Sequence, residues 1–159
     1  MALPADLVRC TFESELEQSR RIAGKAGFVL EADVDALTIR AVYKAPDGQE
    51  FILTGLFDDY KARPPLLDFE EPGTGRVGTK SAYPAGHDSF FHPKPIICAP
   101  FNRKAYAEVH ADWPMPTWMG STAQNVNWRQ YSTMPSMLWL VHKRISDHAL
   151  YRGRMEALS

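Results

Sequence analysis

Cysteine is scarce in this sequence, and so are the spacings that would put it to structural use. Two cysteines in 159 residues, Cys10 and Cys98, cannot build a disulfide framework or a four-thiolate metal site. No CxxC or HExxH occurs, so the usual sequence marks of zinc binding are missing, and neither a metal nor another cofactor is expected. No apolar run approaches the roughly 20 residues needed to cross a bilayer. The segment from Met1 to Glu17 has neither the basic start nor the apolar stretch of a secretory signal, which together with free thiols predicts a cytoplasmic protein. Charge of one sign is lacking too. Eighteen Lys and Arg stand against 19 Asp and Glu, interspersed, with a formal net charge of −1. Phosphate neutralisation needs clustered cations, so neither nucleic acid nor a membrane is an expected partner.

What is present suits a folded interior. Hydrophobic residues make up 45% of the chain and aromatics 11%, at a length typical of one domain, so a single domain over 1–159 is expected. Leu7, Val8, Phe12, Leu16, Ile22, Ala23 and Ala26 follow a helical period, with Glu13, Glu15, Glu17, Arg20 and Arg21 assigned to the opposite face and Gly27 as the stop. Three strand signals come next: Phe28 to Ala32, Leu37 to Tyr43 with period two, and Gln49 to Phe57 after the turn Ala45-Pro46-Asp47-Gly48. A fourth, Leu66 to Phe69, follows Pro64-Pro65. Short connections between consecutive strands predict an antiparallel meander, hence an α+β fold. From Glu71 to about Pro95 the chain reads as a long flexible loop, and residues 110–131 as an irregular stretch pinned by Trp113, Trp118 and Trp128. A last helix is predicted from a cap at Ser132 or Thr133, with Pro135 in its first turn and Met134, Met137, Leu138, Val141 and Ile145 on one face.

Three constellations carry possible chemistry. Gly73-Thr74-Gly75-Arg76-Val77-Gly78 matches G-x-G-x-x-G, but Thr79 to Pro84 is poor material for the helix that must open there to hold a pyrophosphate, so the match reads as a loop. Among five histidines, His92 and His110 with Cys98 offer a zinc-compatible set without the supporting spacing; His87 falls in the long loop, and His142 and His148 read as rim residues of the last helix. Cys98 is the sharper candidate. It ends the Pro-rich segment His92-Pro93-Lys94-Pro95, beside polar groups, where a thiol has the access a nucleophile needs. Cys10, on the first helix, reads as a packing residue.

The order helix, four-strand meander, long loop, cysteine, aromatic-rich loop and helix resembles the E2 ubiquitin-conjugating (UBC) fold. Tyr60, Pro64, Pro65 and Phe69 resemble the family's segment leading into its fourth strand, with Lys61 where the family has a proline. His92-Pro93 resembles the start of its His-Pro-Asn tripeptide, Cys98 takes the place of its catalytic cysteine, and Trp113 that of the tryptophan beyond it. Lys94 stands where the family has asparagine, and the step from His92 to Cys98 is short. The absent asparagine makes the sequence similar to the bacterial E2-like branch, found in operons with a ubiquitin-like protein, an E1-like activating enzyme and a deubiquitinase-like peptidase, some of them acting in antiphage defence.

The resemblance implies a transferase that accepts a ubiquitin-like protein from an E1-like partner as a thioester on Cys98 and passes it to a target amine. With the asparagine gone, His110, Asn102 and His92 are the candidates for the oxyanion donor, and Asp112 for the group that takes the proton of an acceptor lysine. A noncatalytic, RWD-like binding module of the same fold and a small cysteine hydrolase built on Cys98 and His110 are the competing expectations.

Overall fold

The computed structural model describes residues 2–86, 88–110 and 127–156. The first helix, α1, spans Ala5–Ala26, a rod of roughly 33 Å at 1.5 Å per residue. Val8, Phe12, Glu15, Leu16, Ser19 and Ala23 recur every three to four residues and form its buried stripe. Gly27 ends it in the left-handed region (φ 89°), where its N–H closes onto the Ala23 carbonyl at 2.8 Å.

Four strands follow, β1 (Val29–Asp33), β2 (Thr38–Lys44), β3 (Glu50–Leu56) and β4 (Leu66–Glu70), paired antiparallel in the order β1-β2-β3-β4. The period-two alternation of the second strand is realised, with Ile39, Ala41 and Tyr43 of β2 buried; β3 buries Phe51, Ile52 and Leu53 in succession, and β4 buries Leu67 and Phe69. Arg40 remains on the outer face, where it pairs with Glu70 at 3.1 Å. Gly55 sits at a close approach on β3, where a Cβ would press on Ile39, Phe57 and Leu67 side-chain atoms at 3.0 to 3.1 Å.

Beyond the sheet the described residues form a two-stranded hairpin, β5 (Phe91–His92) with β6 (Ile96–Ile97), and the short helices α2 (Arg103–Glu108) and α3 (Trp128–Tyr131). The last helix, α4 (Met134–Ser146), starts at a capping box in which Thr133 and Ser136 satisfy each other's backbone, with Pro135 in the first turn. Its buried face, Met134, Pro135, Met137, Leu138, Val141 and Ile145, closes the core against α1 and β2, and its Leu138 carbonyl accepts the Tyr43 hydroxyl at 3.1 Å. The architecture is therefore α+β, with an N-terminal helix, a four-stranded antiparallel sheet and a C-terminal helix. Among the described residues no helix is long and apolar enough to cross a membrane.

Two sequence expectations need correction. Glu15, assigned to the solvent face of α1, is 8% exposed and lies on the buried stripe. Its carboxylate accepts the Tyr60 hydroxyl at 2.8 Å and the Met134 N–H at 2.6 Å, with the Lys61 ammonium 3.3 Å away. An acid is held inside because three donors meet it there. The segment after Glu71, expected to be flexible, is pinned. Gly73, Gly75 and Gly78 all have positive φ, and what opens directly after them is a 3-10 turn at Lys80–Ala82, too short to be the pyrophosphate-holding helix of the motif. The Glu71 carboxylate gathers the hydroxyls of Ser81 (2.5 Å), Thr74 (3.0 Å) and Thr79 (3.0 Å) and the Arg76 guanidinium (3.3 Å), folding the loop onto itself.

That ring has a pH signature. The Ser81 hydroxyl first, then those of Thr74 and Thr79, hold the Glu71 carboxyl down to about 2. A depressed folded-state pKa gives stability that is complete above the unfolded value of about 4.3 and lost as pH falls toward 2. Relative to Glu71→Gln, the wild-type protein is expected to hold a constant urea-denaturation advantage above about pH 5 and to lose it steadily below pH 4. An advantage unchanged down to pH 2.5 would show that the carboxylate does not organise this loop.

Candidate active site

Cys98 is placed by the β5–β6 hairpin. Phe91 faces Ile97 and His92 faces Ile96, while Ile96 and Ile97 are wholly buried and anchor the hairpin beside β4. The turn is held twice: His92 Nδ1 accepts the Lys94 N–H at 3.0 Å, and the Lys94 ammonium donates to the Glu108 carbonyl at 3.1 Å. Cys98 leaves the hairpin with its N–H on the Phe90 carbonyl at 2.8 Å. Its side chain is half-buried, whereas Cys10 is exposed on α1 and does not serve the core as the sequence suggested.

The chain then doubles back through α2. Asn102 is fully buried and caps that helix. Its Oδ1 accepts the N–H groups of Leu67 (2.9 Å) and Lys104 (3.3 Å), and its Nδ2 donates to the Ile97 carbonyl at 2.8 Å. One side chain thus joins the β4 edge, the start of α2 and the peptide just before Cys98. Arg103 and Lys104 secure the helix from outside, through Asp58 at 2.6 Å and Asp68 at 2.6 Å. At the far end of α2 the His110 N–H closes onto the Ala105 carbonyl at 2.8 Å. This return brings His110 Nε2 to 3.3 Å from Cys98 Sγ.

Of the residues the sequence nominated, Cys98 and His110 therefore meet. Asn102 comes near through the backbone, with its amide committed to the Ile97 carbonyl. His92 uses Nδ1 on its own turn, and the Lys94 ammonium is engaged with the Glu108 carbonyl. The zinc set does not assemble: among the described residues no group of three or more His, Cys, Asp or Glu side chains is arranged to hold a metal ion. His142 sits in an aromatic row with Trp139 (5.3 Å), Phe28 (5.4 Å) and Tyr43 (6.2 Å). His87, Asp112, Trp113 and Trp118 lie outside the described residues.

Sequence reasoning missed α2 itself and the role of Trp128. An asparagine followed by Arg103-Lys104-Ala105 carries the mark of a helix start, which would have located α2. Trp128, noted only as a pin, lines a cavity of about 250 Å³ together with Cys98, Phe90, Ala99, Pro100, Phe101, Ser132 and Leu140. The wall is mostly apolar, and Cys98 is part of it.

Burial pushes the Cys98 thiol up from its ordinary value, so at neutral pH the sulfur carries its proton and the neighbouring imidazole is placed to take it. Alkylation of Cys98 by iodoacetamide, followed by mass spectrometry in Cys10→Ser, is expected to keep accelerating above pH 9. A plateau reached by pH 7 would instead mean a resting thiolate–imidazolium pair, as in cysteines whose pKa is lowered to about 3.5–7.5.

No family model matches this sequence, and no curated protein does.

Proposed function

We propose that the protein is an E2-like carrier that accepts a ubiquitin-like protein from an E1-like activating enzyme as a thioester on Cys98 and delivers it to a target amine. The observation that carries the reading is the 3.3 Å approach of His110 Nε2 to the Sγ of Cys98, a residue that lines a mostly apolar cavity directly after the His92-Pro93 hairpin. A protonated thiol with a nearby base suits transthiolation, because exchange between thioesters is close to thermoneutral and the site need only position groups and move one proton. The resemblance to the ubiquitin-conjugating family, carried by Tyr60, Pro64, Pro65, Phe69, His92, Pro93 and Cys98, supports the same reading. The UBC fold is part of the proposal, as are the bacterial operon setting and the cytoplasmic location.

The test is charging. Incubated with the E1-like enzyme, ATP and the ubiquitin-like protein of its own operon, the protein is expected to give an adduct on a non-reducing gel that dithiothreitol removes. Cys98→Ser should give a thiol-resistant oxyester or no adduct. Charging of Cys98→Ser at the wild-type rate with a thiol-sensitive adduct would refute the assignment.

The same thiol–imidazole pair favours one other reading, a small cysteine hydrolase. It predicts multiple turnovers of a simple ester without any partner protein, where the carrier acylates once and stops.

A further inference from the structure

Trp128 is 1% exposed, and its indole N–H has no acceptor among the described residues. Native interiors hold few such donors, because a buried N–H forfeits its hydrogen bond to water and gains nothing back. The ring does not sit loosely. Asn127 caps the short helix that begins at Trp128, accepting the Gln130 N–H at 3.2 Å, and the ring packs against Tyr60 at 6.1 Å between centroids. A side chain fixed on both sides, with its one polar atom unused, marks a site whose partner arrives from outside.

The chemistry of that partner follows from the donor. Indole N–H donates and cannot accept, so only an acceptor satisfies it. Trp128 shares the walls of the 250 Å³ cavity with Cys98; the rest of the wall is Phe90, Ala99, Pro100, Phe101 and Leu140, with Ser132 as its other polar side chain. Besides the indole N–H, the only polar side chains in the wall among the described residues are the Ser132 hydroxyl and the Cys98 thiol. A carbonyl oxygen wants one donor and an apolar surround for the carbon chain behind it. The volume lies below the roughly 300–1,000 Å³ of sites that enclose a whole small ligand, so it fits the end of a chain.

We propose that the Trp128 Nε1–H is the hydrogen-bond donor for the carbonyl oxygen of the acyl group transferred to Cys98, and that the cavity receives the C-terminal residue or two of a polypeptide acyl donor. The inference rests on the reading of Cys98 as an acyl carrier, and supplies the donor that the absent family asparagine leaves open. In the step itself, Cys98 Sγ–H gives its proton to His110 Nε2 as the sulfur attacks the carbonyl carbon of a partner-borne thioester. The new C–S bond forms, and the C=O pair moves onto oxygen, which faces the Trp128 N–H. When the carbonyl re-forms, the partner's C–S bond breaks and its sulfur leaves with the proton held by His110. Nothing is oxidised or reduced.

The experiment uses Cys10→Ser protein and a synthetic peptide thioester ending in glycine, with acylation of Cys98 read by intact mass. Trp128→Phe keeps most of the ring and removes the N–H. It is expected to fold with an unchanged or raised Tm and to acylate about 10²–10³-fold more slowly, the usual loss for one oxyanion donor. Acylation of the folded variant at the unsubstituted rate overturns the inference and leaves the carrier reading standing. Failure of the unsubstituted protein to acylate at Cys98 overturns the carrier reading as well. Should Trp128→Phe not fold, the Trp128 indole N–H resonance of the Trp-containing protein decides: a downfield shift on acylation supports the contact, and an unmoved resonance overturns it.

Discussion

Replacing His110 by alanine is expected to slow acylation of Cys98 by a glycyl peptide thioester about 10²–10⁴-fold at pH 7, the range usual for loss of a positioned proton acceptor. The size of the effect follows from the state of the thiol. Burial holds the Cys98 proton on more firmly than in a free cysteine, and only the thiolate is a competent nucleophile. In the proposed transfer, His110 Nε2, 3.3 Å away, takes that proton as the sulfur attacks. Its loss therefore matters most where hydroxide cannot do the same work. The rates of His110→Ala and wild-type protein, each on a Cys10→Ser background, should converge as pH rises above 9. Cys98→Ala gives the zero of the assay. Equal rates at pH 7 would show that the imidazole takes no part in the transfer. A deficit that persisted unchanged to pH 10 would assign His110 to holding the site's shape.

The second large effect is on stability. Glu15→Ala is expected to cost about 3–5 kcal/mol, as in other cases where one member of a buried ionic cluster is removed. The variant leaves the Lys61 ammonium, the Tyr60 hydroxyl and the Met134 N–H facing a space from which their shared acceptor has gone. Tyr60 is wholly buried, and its phenol pKa is already raised, chiefly by burial and next by the Glu15 carboxylate, so the ring cannot ionise to rescue the pairing. At about 2–4 °C per kcal/mol for a protein of this size, Tm should fall by about 6–20 °C. Glu15→Gln, which keeps an acceptor oxygen, should lie between. A loss under about 1 kcal/mol for the alanine variant would mean that the three donors find other partners once α1 and α4 relax.

Much of the frame was legible because it depends on periodicity. The four strands and two long helices appear within a residue or two of where the alternation and the caps put them, since each buries one face against the same core. The Thr133 cap with Pro135 in the first turn is local chemistry and needed no tertiary information. Glu15 was illegible for the opposite reason. Its charge argued for solvent, and only the arrival of Tyr60, Lys61 and the Met134 N–H from distant parts of the chain makes a buried carboxylate tolerable. The loop that starts at Glu71 looked mobile in the same way, because a glycine-rich segment gives no sign of order until its hydroxyls are seen to converge on one acid.

By itself the sequence determined an α+β chain with an N-terminal helix, a four-strand meander and a C-terminal helix, and it singled out Cys98 as the thiol worth following. What only the tertiary structure decided is the company that thiol keeps. Asn102 turns inward to brace the peptide before Cys98, while His110 returns along α2 to meet the sulfur and Trp128 closes the cavity beside it. These residues lie up to thirty positions beyond Cys98, and a hydrogen-bond partner across that distance leaves no period or spacing in the sequence. Their geometry is set by how α2 packs against β4 and β6 and how Trp128 packs against Tyr60, an outcome of the whole core and of no local segment.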